Sequence, residues 1–382
     1  MLPRLHSLTL LRLFAASWVV VFHFHHKFPP APGGVWERFC GNGHFAMPLF
    51  FVLSGLVLAY CYPRIPDASA IQRFYWARFA RVFPAYAVMH LLALLLMVEL
   101  WHSDPVRWIY SNVLSALGLQ AWFHYTFPIG LNGATWSVSV EAFFYLLFPA
   151  LLPVCQYFEQ RWGPLRPLVL CILFSTFIGF SDIAFETGYD SGYYILPILR
   201  LPDFILGVFL GVQLRRESKL GPRAWLGLIT ALVLFSVVTT LPNSWLGSTQ
   251  MNFRARGLVS LAVCGLLFFC ARVEQYHRPA WQSLPLRILI YLGEASYALF
   301  LVHVLLVRIM EFPVFRPTVM VLKVKGLHSE AWIVFCTISL VAAIALHELV
   351  EKPARRWLKR RHTRSAPASP ALPPVEAFTV RS

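Results

Sequence analysis

The chain is 382 residues long, 58% hydrophobic and only 13% charged, with 33 Lys and Arg against 18 Asp and Glu and a net charge of +15. An ordinary soluble domain is about 25% charged, so this composition excludes a soluble enzyme, a disordered chain and a fibre, and leaves a polytopic membrane protein. Such a basic balance suggests a nucleic-acid binder first, but the basic residues sit in short gaps between apolar runs rather than in one patch, so the preferred reading is orientation by the positive-inside rule.

Apolar runs long enough to cross a bilayer lie at 8–26, 44–62, 83–101, 136–156, 168–186, 193–214, 224–241, 255–272, 286–308 and 331–350. The predicted fold is therefore all-α, with about ten transmembrane helices. The first run is read as a retained helix and not a cleaved signal, because Arg12 interrupts it and no small-x-small cleavage site follows. Between the third and fourth runs, residues 106–124 mix Val106, Ile109, Val113 and Leu117 with Arg107, Ser111, Asn112, Ser115 and Gln120. That segment is predicted to be amphipathic or re-entrant, with an eleventh span as the alternative. With the N-terminus inside, the inner segments carry 23 Lys and Arg and the outer ones 8, which puts both termini of a multi-pass membrane protein in the cytoplasm. Residues 1–360 are expected to form one membrane domain, and 361–382, rich in Pro, Ala and Ser, a disordered cytoplasmic tail. The cysteines have no metal or redox spacing, and the histidines of HFHH (23–26) do not share a helical face, so no metal site is expected.

Ionisable residues inside spans are costly and mark candidate functional positions. In RLFAASWVVVFH, Arg12 and His23 lie eleven residues apart, which brings them to within about 20° of one helical face. Either Arg12 snorkels and His23 ends the helix at the interface, or the face carries chemistry. In TWSVSVEAFFYLLFP, Ser137, Glu141 and Tyr145 recur every four residues and line one face. Glu141 must be paired, with Arg200 as one partner, or must face a polar cavity. In RFYWARFARVFPAY, Arg73, Arg78 and Arg81 with Tyr86 read either as positive-inside charge or as a phosphate grip. Arg200 and Asp203 fall within the sixth run, His303 within the ninth, and Glu351 at the end of the tenth reads as a salt bridge. Ser54-Gly55 reads as a close helix crossing.

Taken in order, LRLFAASWVVVFHF, FFVLSGLVLAY, RFYWARFARVFPAY, TWSVSVEAFFYLLFP, LPDFILGVFLG, LGEASYALFLVH and HELVEKPARR resemble the acyltransferase 3 family of integral membrane acyltransferases, which includes bacterial exopolysaccharide and O-antigen O-acetyltransferases. The resemblance covers about residues 1–360. It implies an enzyme that moves an acyl group, usually acetyl from acetyl-CoA, to a sugar hydroxyl of a polysaccharide or a lipid-linked oligosaccharide, beside membrane lipid and other polysaccharide-assembly proteins. The family's Arg-x10-His motif maps onto Arg12 and His23, its Arg-x-x-Arg element onto Arg78 and Arg81, and its W-S-x-S-x-E element onto Trp136, Ser137, Ser139 and Glu141. His23, Glu141 and Arg12 are then the expected catalytic residues, with Arg78, Arg81, Arg73 and Tyr86 at acetyl-CoA. Trp136, Ser137, Ser139, Tyr145, Arg200, Asp203 and His303 are expected at the acceptor. His23 would act as the base or carry the acyl group itself. A stand-alone enzyme is the expectation, since no fused hydrolase-like domain follows. The competing functions are a proton-coupled transporter or flippase of a lipid-linked glycan, and a sensory or scaffolding protein.

Overall fold

Backbone amides in a bilayer must be satisfied within their own segment, and helices meet that demand locally. The computed structural model describes residues 5–29, 34–96, 104–123, 135–163, 165–184, 195–216, 221–240, 256–277, 281, 283–312 and 314–365. These form helices joined by short turns, with no strand among the described residues. In chain order they are α1 (His6–His25), α2 (Val35–Gly41), α3 (Ala46–Cys61), α4 (Ala68–Leu96), α5 (Pro105–Ala116), α6 (Trp136–Trp162), α7 (Leu165–Ala184), α8 (Pro197–Arg216), α9 (Pro222–Thr240), α10 (Arg256–His277), α11 (Leu284–Glu294), α12 (Ser296–Ile309), α13 (Arg316–Val324), α14 (His328–Leu346) and α15 (Lys352–Ser365). A π-helical turn, His347–Glu351, joins α14 to α15.

Each predicted run coincides with a helix. Among the described residues seven helices are long and apolar enough to cross a membrane, or eight when α11 and α12, bent by 63° at their junction, count as one span. The other two runs fall on α7 and α9, of 20 and 19 residues. The protein is thus an all-α, multi-pass membrane protein.

Three boundaries differ from the sequence reading. The third helix starts at Ala68 and not near residue 83, so Arg73, Arg78 and Arg81 ride on the spanning helix itself. Hydropathy excluded them because it weighs their charge and not their helical continuity. The segment after it is no eleventh span: α5 has 12 residues, about 18 Å, too short for a hydrocarbon core of ~30 Å. Its amphipathicity is also inverted, with Val106 and Leu117 77% and 66% exposed while Ser111 is 2% exposed. The polar side packs on protein and the apolar side faces outward, as a helix bathed in lipid requires. Finally, the C-terminal helix runs to Ser365, so residues 361–365 are helical rather than part of a tail; 366–382 lie outside the described residues.

Two apolar clusters share α1 as their seam. Leu8, Ala15, Trp18 and Val19 belong to the cluster built on α3, α6, α8 and α10. Ala16, Val20 and Phe24 belong to the one built on α4, α12 and α14. One tight crossing is α3 on α8, where a Cβ on Gly55 would collide with the Phe204 carbonyl oxygen and one on Gly207 with that of Val52. Ser54-Gly55 is therefore a close crossing, as its composition suggests.

One end of the bundle gathers the arginines, and several of them serve helix ends. Arg215 donates to the Tyr60 carbonyl at the end of α3 (2.7 Å). Buried Arg272 donates to Gln213 (3.0 Å) and Leu214 (3.3 Å) at the end of α8. The last carbonyls of a helix lack intrahelical donors and carry partial negative charge, so a guanidinium fits them. The converse holds at the start of α1, where Glu274 of α10 accepts from the backbone amides of His6 and Ser7, both at 2.8 Å.

Candidate active site

Arg12 and His23 share a face of α1, and that face meets the broken span. Arg12 Nη2 donates to the Gly293 carbonyl at 2.7 Å, and Arg12 Nε donates to Ser296 Oγ at 2.9 Å. Both partners flank the α11–α12 bend, where the helix break frees carbonyls that need donors. Gly293 lets α1 come this close, since a Cβ there would sit 2.6 Å from the Thr9 carbonyl oxygen. Eleven residues along α1, about 16 Å, His23 meets His303 on α12, with His303 Nε2 3.2 Å from His23 Nδ1. His23 Nδ1 also lies 2.9 Å from the Val19 carbonyl oxygen. A carbonyl only accepts, so Nδ1 carries the hydrogen and His23 Nε2 keeps its lone pair.

A second group lies toward the arginine-rich end. Glu141 on α6 accepts from Tyr145 Oη, one turn on, and from Ser54 Oγ of α3 at 3.4 Å. Arg78 on α4 lies 5.7–5.9 Å from the ring centres of Tyr62, Phe74 and Tyr145, and its Nη2 donates to Tyr62 Oη at 3.4 Å. Its Nε is buried without a hydrogen-bond partner among the described residues. Tyr145 is within electrostatic reach of Arg78 and Arg81. Arg12 is within reach of Arg81, Glu351, Glu141 and Tyr145. The fold thus brings the arginines of α1 and α4 and the carboxylate of α6 within electrostatic reach of one another in a half-buried polar group.

One residue of that group was not singled out from the sequence, and another was read only as a salt bridge. Tyr297 donates to the Val82 carbonyl at 3.1 Å and is within reach of Glu141, Tyr145 and Glu351. Glu351, in the π-turn, is buried and bonded to His347 Nδ1 at 2.7 Å, with Arg355 3.9 Å away. That salt-bridge reading holds, but Glu351 also lies beside the arginine group. The signal available was the break itself: a Gly-Glu-Ala-Ser stretch inside an apolar run.

Other expected residues are placed apart. Arg73 is exposed and donates to Ser69 Oγ at 2.9 Å in the first turn of α4. Tyr86 and Ser139 are buried; Tyr86 Oη donates to the Ser115 carbonyl, and Ser139 Oγ to that of Gly118, so both tie α5 and its following turn to the bundle. Trp136, at the start of α6, stacks under Arg200 at 5.8 Å, and Ser137 beside it is buried. Asp203 is buried and accepts from Ser260 Oγ at 2.7 Å. Glu141 bonds Tyr145 and Ser54, and it is His303 that meets His23.

Residues 5–348 match the family model for the acyltransferase 3 acyltransferase domain. The chain belongs to that family. Among similar proteins are "Acyltransferase MdmB" of Streptomyces mycarofaciens, 26% identical over 98% of both chains, and "Nodulation protein 10" of Rhizobium leguminosarum, 25% identical over 92% of this chain and 93% of that one. A third is "Peptidoglycan O-acetyltransferase OatA" of Listeria monocytogenes, 23% identical over 91% of this chain and 55% of that protein. No solved structure matches.

An acyltransferase must hold an acyl donor and activate an acceptor. The described arrangement offers both kinds of group: a guanidinium with an unsatisfied donor among aromatic rings, and, farther along α1, an imidazole with one nitrogen held and the other bearing a lone pair.

Proposed function

We propose that this acyltransferase is an O-acetyltransferase of the bacterial inner membrane. It moves acetyl from cytoplasmic acetyl-CoA to a sugar hydroxyl of an exported or surface polysaccharide, or of its lipid-linked precursor. The observation that carries this reading is the 2.9 Å contact of His23 Nδ1 with the Val19 carbonyl oxygen: a carbonyl requires the hydrogen on Nδ1, and Nε2 is then free to take a proton. The donor side is supported by Arg78, whose buried Nε has no hydrogen-bond partner among the described residues and suits an anionic oxygen. Arg78 and Arg81, one turn apart on α4, would grip the phosphates of CoA by charge-assisted hydrogen bonds. The sugar acceptor rests on the relative named as a peptidoglycan O-acetyltransferase.

In the proposed reaction the pantetheine arm runs alongside α1 from the arginine group toward His23. His23 Nε2 removes the proton of the sugar hydroxyl as its oxygen bonds to the thioester carbonyl carbon. The tetrahedral intermediate collapses, the C–S bond breaks with its electron pair leaving on sulfur, and the CoA thiolate takes the proton back from His23. CoA itself never crosses. The excess of Lys and Arg in the inner segments supports this orientation, with both termini cytoplasmic.

The test is label transfer. Membranes given acetyl-labelled CoA should acetylate glycan, and His23→Ala should abolish it at unchanged protein level. Retained labelling in His23→Ala would remove the base from the mechanism. A transporter would leave the labelled acetyl group on CoA.

A further inference from the structure

A base on a helix inside a membrane must keep its ring aimed while its charge changes, and one backbone carbonyl is a weak hold on a ring. We infer that His303 is a positioning residue for His23, its Nε2 accepting from His23 Nδ1–H and sharing the charge when His23 Nε2 takes a proton. This rests on the reading of His23 as the base.

The geometry fixes the direction of the contact. His23 Nδ1 carries hydrogen because its other neighbour, 2.9 Å away, is a carbonyl oxygen. A nitrogen with hydrogen has no lone pair to offer, so His303 Nε2, 3.2 Å away, must be the acceptor. The hydrogen of His303 is then on Nδ1, which is buried and makes no hydrogen bond among the described residues, so Nε2 is the one ring nitrogen of His303 with a polar contact there. The two rings meet edge to face, centres 4.9 Å apart at 63°. His303 is fully buried, so it has no route of its own to solvent, whereas His23 is half-buried. A buried acceptor behind a base fills the place that a carboxylate occupies in a catalytic triad, but without a fixed negative charge.

The rest of the interface holds this contact in register. Ser296 and His303 are seven residues apart on α12, two turns on one face. Arg12 binds Ser296 and His23 meets His303, so α1 fixes both the height and the rotation of α12 at two points. The long Arg12 side chain takes up the difference between eleven residues on α1 and seven on α12. Arg12 thereby acts on His23 through the bend as well as on the donor end. The sequence expectation for His303, contact with the acceptor sugar, is a different role and gives a different result in the test.

The experiment compares His303→Gln with His303→Met in membranes carrying the full chain, using acetyl-labelled CoA and counting label on glycan per amount of protein. The two side chains are similar in size, but only Gln offers an oxygen acceptor. His303→Met should lower the rate at saturating acetyl-CoA about 10- to 100-fold, with the apparent KM for acetyl-CoA within about twofold of the parent. His303→Gln should recover most of that rate. Equal losses in both variants, failure of both to accumulate, or an unchanged rate in His303→Met would overturn the proposal. So would normal donor kinetics combined with a raised requirement for glycan. His23→Ala is run alongside. If it still acetylates glycan, the base assignment fails; if it is inactive while His303→Met keeps the parent rate, only the present inference fails.

Discussion

Arg78 shows how a cation can be kept in a membrane protein with no carboxylate paired to it among the described residues. The rings of Tyr62, Phe74 and Tyr145 surround it, and each aromatic face offers a partial negative charge that offsets part of the desolvation. That leaves hydrogen-bonding capacity unspent, at Nε in particular. Arg78→Ala should raise the apparent KM for acetyl-CoA at least about tenfold, as loss of one charge-assisted contact predicts, and leave the maximal rate far less changed. Arg78→Lys should recover only part, because an ammonium cannot match the planar fork. Titration of initial rates against acetyl-CoA decides it, and a change confined to the maximal rate would place Arg78 elsewhere. Arg12 is the opposite case. Its Nε and Nη2 are already engaged on Ser296 and Gly293, so Arg12→Lys, with one nitrogen in place of the fork, should lose part of that hold on the bend. The expected result is a fall in rate of about tenfold or more with a modest change in donor KM. This division was only half legible in the sequence. The spacing of Arg12 and His23 gives their common face, but the partner of Arg12 is a backbone carbonyl freed by a helix break, and no residue type announces that.

Helix ends and crossings are where the elements depend on one another. The start of α1 has no capping side chain of its own; Glu274 on α10 supplies it, 268 residues away in sequence. Glu274→Ala should therefore cost about 1–2 kcal/mol and lower the melting temperature of the purified protein in detergent, with Glu274→Gln intermediate. An unchanged melting curve would mean that water replaces the carboxylate. The start of α4 is capped locally: Asp67 accepts from the Ala70 amide at 2.8 Å and from Ser69 Oγ at 2.6 Å. The Ser69 hydroxyl first, and then the Ala70 amide, hold its carboxyl below the usual range. The sign follows directly: the cap is complete at neutral pH and is lost only as the pH falls through that lowered value. Gly293→Ala tests a crossing. Its Cβ would press on Thr9 backbone at 2.6 Å, and forcing α1 from α11 should cost about 1–3 kcal/mol and displace Arg12, so rate and melting temperature should fall together. Close crossings were legible at Ser54-Gly55, where small residues stand in an apolar run. The inward polar side of α5 was not, because the same amphipathic pattern serves a helix on water or a helix in lipid, and only the surroundings decide which side is buried.

At the scale of the molecule, the parity of the bundle can be read from which ends touch. The start of α1 meets the end of α10 through Glu274, the end of α3 meets the end of α8 through Arg215, and α15 packs on α4 near the π-turn. Arg12 near the start of α1 is within reach of Arg81 and Glu351. The first and last described helices therefore share the arginine-rich end, as an even number of crossings requires. The ten apolar runs and the charge count carried this much in the sequence, since both depend on residue type alone; the assembly of the site from α1, α4, α6, α12 and the π-turn depends on packing between distant segments. If the positive-inside asymmetry orients the chain, a fluorescent protein fused after Ser382 should be bright and an alkaline phosphatase fused there inactive. A thiol placed at Lys27, which pairs with Glu311 across the opposite end, should react with a membrane-impermeant maleimide added outside whole spheroplasts, while one placed at Arg73 should react only after the membrane is opened. The reverse pattern would put the arginine group on the side without CoA, and the donor route along α1 could not operate in the proposed direction.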